Sequence, residues 1–131
     1  MKACKFILID DDALSNLISR HIIERVAGKA DIQIFVNGQV GLSYIESTYS
    51  PENLPNTIIF LDINMPVMTG WEFLDRFDAL SPDIKSCIEI YVLTSSLHWR
   101  DKELCAENRN VKEHIVKPLT TAFIKMLVEK K

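Results

Sequence analysis

The segment Thr57-Ile58-Ile59-Phe60-Leu61, closed by Asp62, decides the fold. Beyond its first residue it shows no polar alternation, so both of its faces must be covered, as in a central parallel strand with helices on either side. Outward from it, short β-rich apolar runs recur at residues 6–9, 32–36, 88–93 and 114–116, which makes five predicted strands. Between them lie helical patterns. Leu14, Leu17, Ile18, Ile22 and Val26 fall on one face at helical spacing, as do Leu119, Phe123, Met126 and Leu127 near the end, and both stripes are expected to face the core. Strands alternating with helices imply an α/β, doubly wound, five-stranded parallel sheet. Residues 50–56 read as a loop entering the third strand.

At 131 residues, 47% hydrophobic and 25% charged, the chain fits one domain over 1–131, with no room for a separate output domain. Any output must then come from its own surface. Fifteen basic and 18 acidic residues give a formal charge of -3, and no run of Lys or Arg supplies the footprint of a nucleic-acid binder. Cys4, Cys87 and Cys105 are odd in number and lack a CxxC, so reduced, mostly buried thiols are expected rather than a disulfide framework or a zinc site. Lys2 and Lys5 precede an apolar run too short for a signal peptide, and nothing reaches transmembrane length. The expectation is a cytoplasmic protein with no membrane association.

In a doubly wound sheet the functional crevice lies beyond the carboxyl ends of the strands. The residues there are Asp10-Asp11-Asp12, Asp62, Thr94-Ser95-Ser96 and Lys117-Pro118. Asp12, just before the stripe that starts at Leu14, is the natural N-cap of the first helix. Asp10 and Asp11 together with Asp62 would crowd like charges, which raises pKa values unless a cation is present. Mg²⁺ suits this all-oxygen donor set, whereas His21, His98 and His114 lack the spacing of a transition-metal motif.

Four motifs in order, Phe6-Ile7-Leu8-Ile9-Asp10-Asp11-Asp12, Ile59-Phe60-Leu61-Asp62-Ile63-Asn64-Met65-Pro66 with Thr69-Gly70, Val92-Leu93-Thr94-Ser95, and Ile115-Val116-Lys117-Pro118, resemble the receiver family of response regulators over essentially the whole chain. The resemblance implies a flavodoxin-like (βα)5 fold with strand order 2-1-3-4-5, in the stand-alone CheY-like form. It implies Asp62 as phosphoacceptor, Asp11 as direct Mg²⁺ ligand with Asp10 assisting, and the Asn64 carbonyl as a further ligand oxygen. Lys117 and the Thr94 hydroxyl would hold the phosphoryl oxygens. It also implies a cis Lys117-Pro118 bond and a tight loop before the third helix with a left-handed Gly70.

As implied partners, a sensor histidine kinase or histidine phosphotransferase would supply the phosphoryl group in a two-component phosphorelay. A downstream protein would read the surface change, and a homodimer is one form that reading could take. Thr94 and the residue three before Lys117 form the family's switch pair. Where the family carries an aromatic, this chain has His114, which reads equally as a switch or as a half-buried strand residue. Trp99 reads as an interface anchor or as a cover for the core edge, and Trp71 as packing. Two other functions compete. An aspartyl-phosphate phosphohydrolase would need Asp-x-Asp-x-Thr, but Asp62 is followed by Ile63-Asn64-Met65-Pro66. A scaffold without phosphotransfer has no reason to keep all the acids together with Thr94 and Lys117.

Overall fold

The computed structural model describes residues 5–129. The elements in chain order are β1 (Lys5–Ile9), α1 (Ala13–Ala27), β2 (Asp31–Phe35), α2 (Gly38–Thr48), β3 (Thr57–Leu61), α3 (Gly70–Asp78), α4 (Pro82–Ser86), β4 (Ile88–Thr94), α5 (Trp99–Glu107), β5 (Val111–Val116) and α6 (Thr121–Glu129). All strand pairs are parallel and the order is β2-β1-β3-β4-β5, so the doubly wound reading holds. The short α4, led by Ser81 as N-cap and Pro82 in its first turn, is an extra helix between α3 and β4.

Successive side chains of the central strands alternate between two cores. Ile7, Ile9, Ile59, Leu61 and Ile90 pack with Leu42 and Ile45 of α2 and with Phe73 and Phe77 of α3. Phe6, Leu8, Ile58, Phe60, Tyr91 and Leu93 pack on the opposite face with Ile23 of α1 and with Ile124 and Leu127 of α6. Every residue of β1 and β3 is buried, as the unbroken apolar run of β3 requires.

Three expectations need correction. The stripe on α1 does not face the core along its length: Leu14, Leu17 and Ile18 are exposed, Ile22 and Val26 are half-buried, and the buried line is Asn16, Ser19 and Ile23. The Asn16 side-chain amide donates to the Asp10 carbonyl at 2.8 Å, so a hydrogen bond to the end of β1 sets the rotation of the helix and overrides the apolar periodicity. On α6, Leu127 and the preceding Leu119 are buried as expected, but Met126 is exposed. Gly70 does not take positive φ; that conformation falls on Val67, at φ 70°. Gly70 is needed for close approach instead, because a Cβ there would lie 2.5 Å from Ile63 Cα and 2.8 Å from the Asp62 carbonyl oxygen.

Strand limits shift by a few residues. Val36 lies outside β2, and β5 starts three residues earlier than its apolar signal because Lys112 and Glu113 are exposed on this edge strand. The Lys117-Pro118 bond is cis. Cys87 and Cys105 are buried, and burial pushes the Cys105 thiol up to about 11; Cys4 lies outside the described residues.

Candidate functional site

Parallel hydrogen bonding continues one residue past the strands, and this aligns the chemistry. Asp10 N–H donates to Phe35 O at 3.0 Å, Asp62 N–H to Ile9 O at 2.9 Å, and Lys117 N–H to Thr94 O at 2.9 Å. Asp10 and Asp62 therefore stand level with each other, with Thr94 one residue and Lys117 two residues further along, all at the carboxyl edge of the sheet. Asp11 follows Asp10 and is exposed; one carboxylate oxygen from each of Asp10, Asp11 and Asp62 lies within 4.8 Å of the others.

The Lys117 ammonium bridges two of these acids, donating to Asp10 Oδ2 at 2.6 Å and to Asp62 Oδ2 at 3.4 Å. Asp10 Oδ1 accepts from Asp12 N–H at 2.9 Å, and Asp62 Oδ1 from Asn64 N–H at 3.1 Å. Asp10 and Asp62 are 5% and 7% exposed and Thr94 is fully buried, so these groups interact in a medium that screens charge far less than water. Burial, with the neighbouring Asp10 charge, pushes Asp62 above the usual carboxylate range, against the Asn64 N–H and Lys117. Burial works against the charge on Lys117 as well, but its bond to Asp10 and the charge of Asp62 outweigh that and hold the amine above its ordinary value.

Asp12 is a helix cap, its carboxylate accepting from Leu14 N–H at 3.0 Å and Ser15 N–H at 3.4 Å. The Asp62 loop is drawn back onto β3 by the Gly70 N–H, which donates to Ile63 O at 3.1 Å. Thr69 then starts α3 with a capping box: its hydroxyl accepts from Glu72 N–H and the Glu72 carboxylate from Thr69 N–H. His114 lies on β5 opposite Val92, half-buried, with its Nε2 fully enclosed and unpaired among the described residues. Trp99 is 66% exposed and stacks on His98, which rules out the core-cover reading, while Trp71 packs against the buried residues as expected.

Sequence reading missed the contacts of Ser96, whose hydroxyl donates to Asp101 Oδ2 at 2.7 Å. A Ser and an Asp five residues apart across a loop and a helix start carry no signal by themselves.

A doubly wound parallel sheet with clustered acids at the carboxyl edge, faced by a lysine from the last strand, defines a receiver-type signalling domain. The chain belongs to the response regulator receiver domain family, whose model matches residues 6–129. It is 27% identical over 124 residues to the chemotaxis protein CheY of Listeria monocytogenes serovar 1/2a (strain ATCC BAA-679 / EGD-e), covering 95% of each chain. It is 28% identical to the protein-glutamate methylesterase/protein-glutamine glutaminase 1 of Paramagnetospirillum magneticum (strain ATCC 700264 / AMB-1), covering 89% of this chain. The chain spans only 28% of that relative's length, and 24% of the corresponding enzyme of Desulfotalea psychrophila (strain LSv54 / DSM 12343). Among solved structures, a two-component response regulator from Cytophaga hutchinsonii superimposes with a TM-score of 0.86 at 30% identity, covering 98% of this chain and 96% of that one. A receiver protein from Dyadobacter fermentans DSM 18053 shares the fold with a TM-score of 0.85 at 21% identity, covering 95% and 94%. Among the described residues, no helix is long and apolar enough to cross a membrane.

Proposed function

We propose that this chain is the receiver of a two-component phosphorelay, that Asp62 is its phosphoacceptor, and that the phosphoryl group comes from a phosphohistidine on a sensor kinase or histidine phosphotransferase. One observation carries this reading: three carboxylates whose oxygens approach within 4.8 Å, two of them spanned by the Lys117 ammonium. Against three carboxylates that one ammonium leaves an excess of negative charge on a donor set of hard oxygens, which fits Mg²⁺. Asp11, Asp10, Asp62 and the Asn64 carbonyl would hold the ion. When bound, it would offset the repulsion between these anions and an anionic donor.

The chain's own groups do the rest. The Asp62 carboxylate forms a P–O bond as the P–N bond of the donor breaks; the electron pair of that bond stays on the ring nitrogen, and the proton already carried by the donor's other ring nitrogen makes the leaving group a neutral imidazole. Lys117 stays protonated and places its charge beside the oxygen that attacks. The Thr94 hydroxyl, at the same edge, donates to a phosphoryl oxygen, and His114, three residues before Lys117, is the switch residue that responds to Thr94. The new dianionic group thereby biases the surface between two states.

The exposed Leu14, Leu17 and Ile18 make an apolar strip on α1, and Leu14 and Ile18 line a shallow hollow that reaches Lys117 and Pro118. A strip of this kind beside the acid cluster fits the apolar face of a helical phosphohistidine donor.

Incubation with acetyl phosphate and Mg²⁺ followed by intact-mass measurement tests the assignment. One phosphate is expected on the wild type and none on Asp62→Asn, with the reaction lost in EDTA. Equal labelling of the variant, or sustained turnover of simple phosphate esters, would overturn it.

A further inference from the structure

Between the buried threonine that ends β4 and the first turn of α5 runs a continuous chain of hydrogen bonds that phosphotransfer itself does not use. The Ser96 N–H donates to Thr94 Oγ1 at 3.2 Å. The Ser96 hydroxyl donates to Asp101 Oδ2 at 2.7 Å and accepts from His98 N–H at 3.3 Å. His98 caps α5 by accepting from Arg100 N–H on Nδ1 at 3.1 Å, and its ring stacks on Trp99 with centroids 5.9 Å apart. Leu97 and Trp99 are 80% and 66% exposed, so this loop and helix start, rather than core packing, set where they sit.

We propose that Asp101 is a positioning residue: through Ser96 it fixes the resting place of the Thr94 hydroxyl and passes the state of Asp62 to residues 97–99. The proposal rests on Asp62 being the phosphoacceptor. When Thr94 turns to donate to a phosphoryl oxygen, its Oγ1 moves relative to the Ser96 N–H. At 3.2 Å that bond already lies at the long limit for N–H···O, so Ser96 either follows or lets go. The other end is a 2.7 Å bond to a carboxylate, charge-assisted and stronger. Displacement of Ser96 is therefore handed to the first turn of α5, where Asp101 N–H donates to His98 O at 3.1 Å. The turn that moves is the one bearing Trp99.

An acid in the first turn also favours a helix electrostatically, and that simpler role has to be separated from positioning. Asparagine removes the charge but keeps an acceptor oxygen for Ser96, whereas alanine removes both. The experiment uses the full chain carrying Trp71→Phe, so that Trp99 is the remaining tryptophan of two. Acetyl phosphate and Mg²⁺ are added, and phosphate by intact mass is read beside Trp99 emission.

In this background phosphorylation is expected to change the emission. Asp101→Ala should still accept phosphate but show less than about a third of the emission change per phosphate bound. Asp101→Asn should keep most of it. Ser96→Ala, which removes the hydroxyl without changing any residue of the helix, should reproduce the alanine result and covers the case of an unstable Asp101→Ala. Full emission change in both alanine variants, Asn behaving like Ala at position 101, or an unchanged emission in the phosphorylated background would each overturn the proposal and leave Asp62 standing. No phosphate on the background protein would overturn the Asp62 assignment, and this inference with it.

Discussion

The three consecutive aspartates after β1 have three different surroundings. Asp10 is buried against Lys117, Asp11 is exposed with an oxygen offered to the cluster, and Asp12 faces outward and holds the first N–H groups of α1. These placements separate stability from metal binding. Asp12→Ala should lower unfolding free energy by about 1 kcal/mol, the usual cost of a lost cap, while leaving the Mg²⁺-dependent rise in melting temperature intact. Asp11→Asn should do the reverse. At about a hundred times its dissociation constant the ion would add about 2.7 kcal/mol to the wild type, and the Asn variant should lose most of that gain. Thermal melts with and without Mg²⁺ check both, and a full Mg²⁺ shift in Asp11→Asn would count against this ligand set. Asp62 adds a pH dependence of its own. Its folded-state pKa is raised, so the native state binds more protons than the unfolded chain just above pH 3.8, and this group's contribution falls as pH rises through that window.

At the level of elements, the opposite sign is found where α3 ends. The Asp78 carboxylate accepts from Arg109 at 3.1 and 2.9 Å and from the Asn110 amide at 2.9 Å, and the Lys85 ammonium donates to the Asp78 carbonyl at 2.9 Å. These bonds tie α3 and α4 to the turn before β5. The Arg109 hydrogen bonds, followed by that from Asn110, pull Asp78 down to about 2. Because its folded pKa lies below the ordinary 3.8, this group stabilises the fold above that value and loses its contribution as pH falls toward about 2. Wild type should therefore melt above Asp78→Asn near neutral pH, and the difference should shrink as the pH is lowered through about 4 to about 2. Melting curves across that range check it, and a constant difference would refute the linkage. Helix α1 shows why element orientation resisted sequence reading. A five-residue apolar stripe predicted one buried face, but the Asn16 bond to Asp10 O turned the helix, leaving its first-half leucines in water.

For the whole molecule, that rotation has a functional reading, since it sets an apolar strip beside the acid cluster. Leu17→Asp should slow transfer from a phosphohistidine donor protein by about tenfold or more, equivalent to about 1.4 kcal/mol of lost docking, while labelling by acetyl phosphate changes little. Parallel assays with the two donors check this, and equal effects on both would remove α1 from the docking surface. The five strands, their parallel pairing and the residues at their carboxyl ends were legible in the chain, because a buried parallel strand must be apolar throughout and topology puts function at its end. That Asp10, Asp11, Asp62, Thr94 and Lys117 gather at one edge of the sheet was legible for the same reason. Other features were settled only by tertiary structure: which face α1 buries, that left-handed backbone falls on Val67 rather than Gly70, that Trp99 stands exposed, and that Ser96 is held by Asp101. Each depends on contacts between segments that local periodicity does not encode, since a pattern of apolar residues specifies that something is covered but not which neighbour covers it or which hydrogen bond takes precedence.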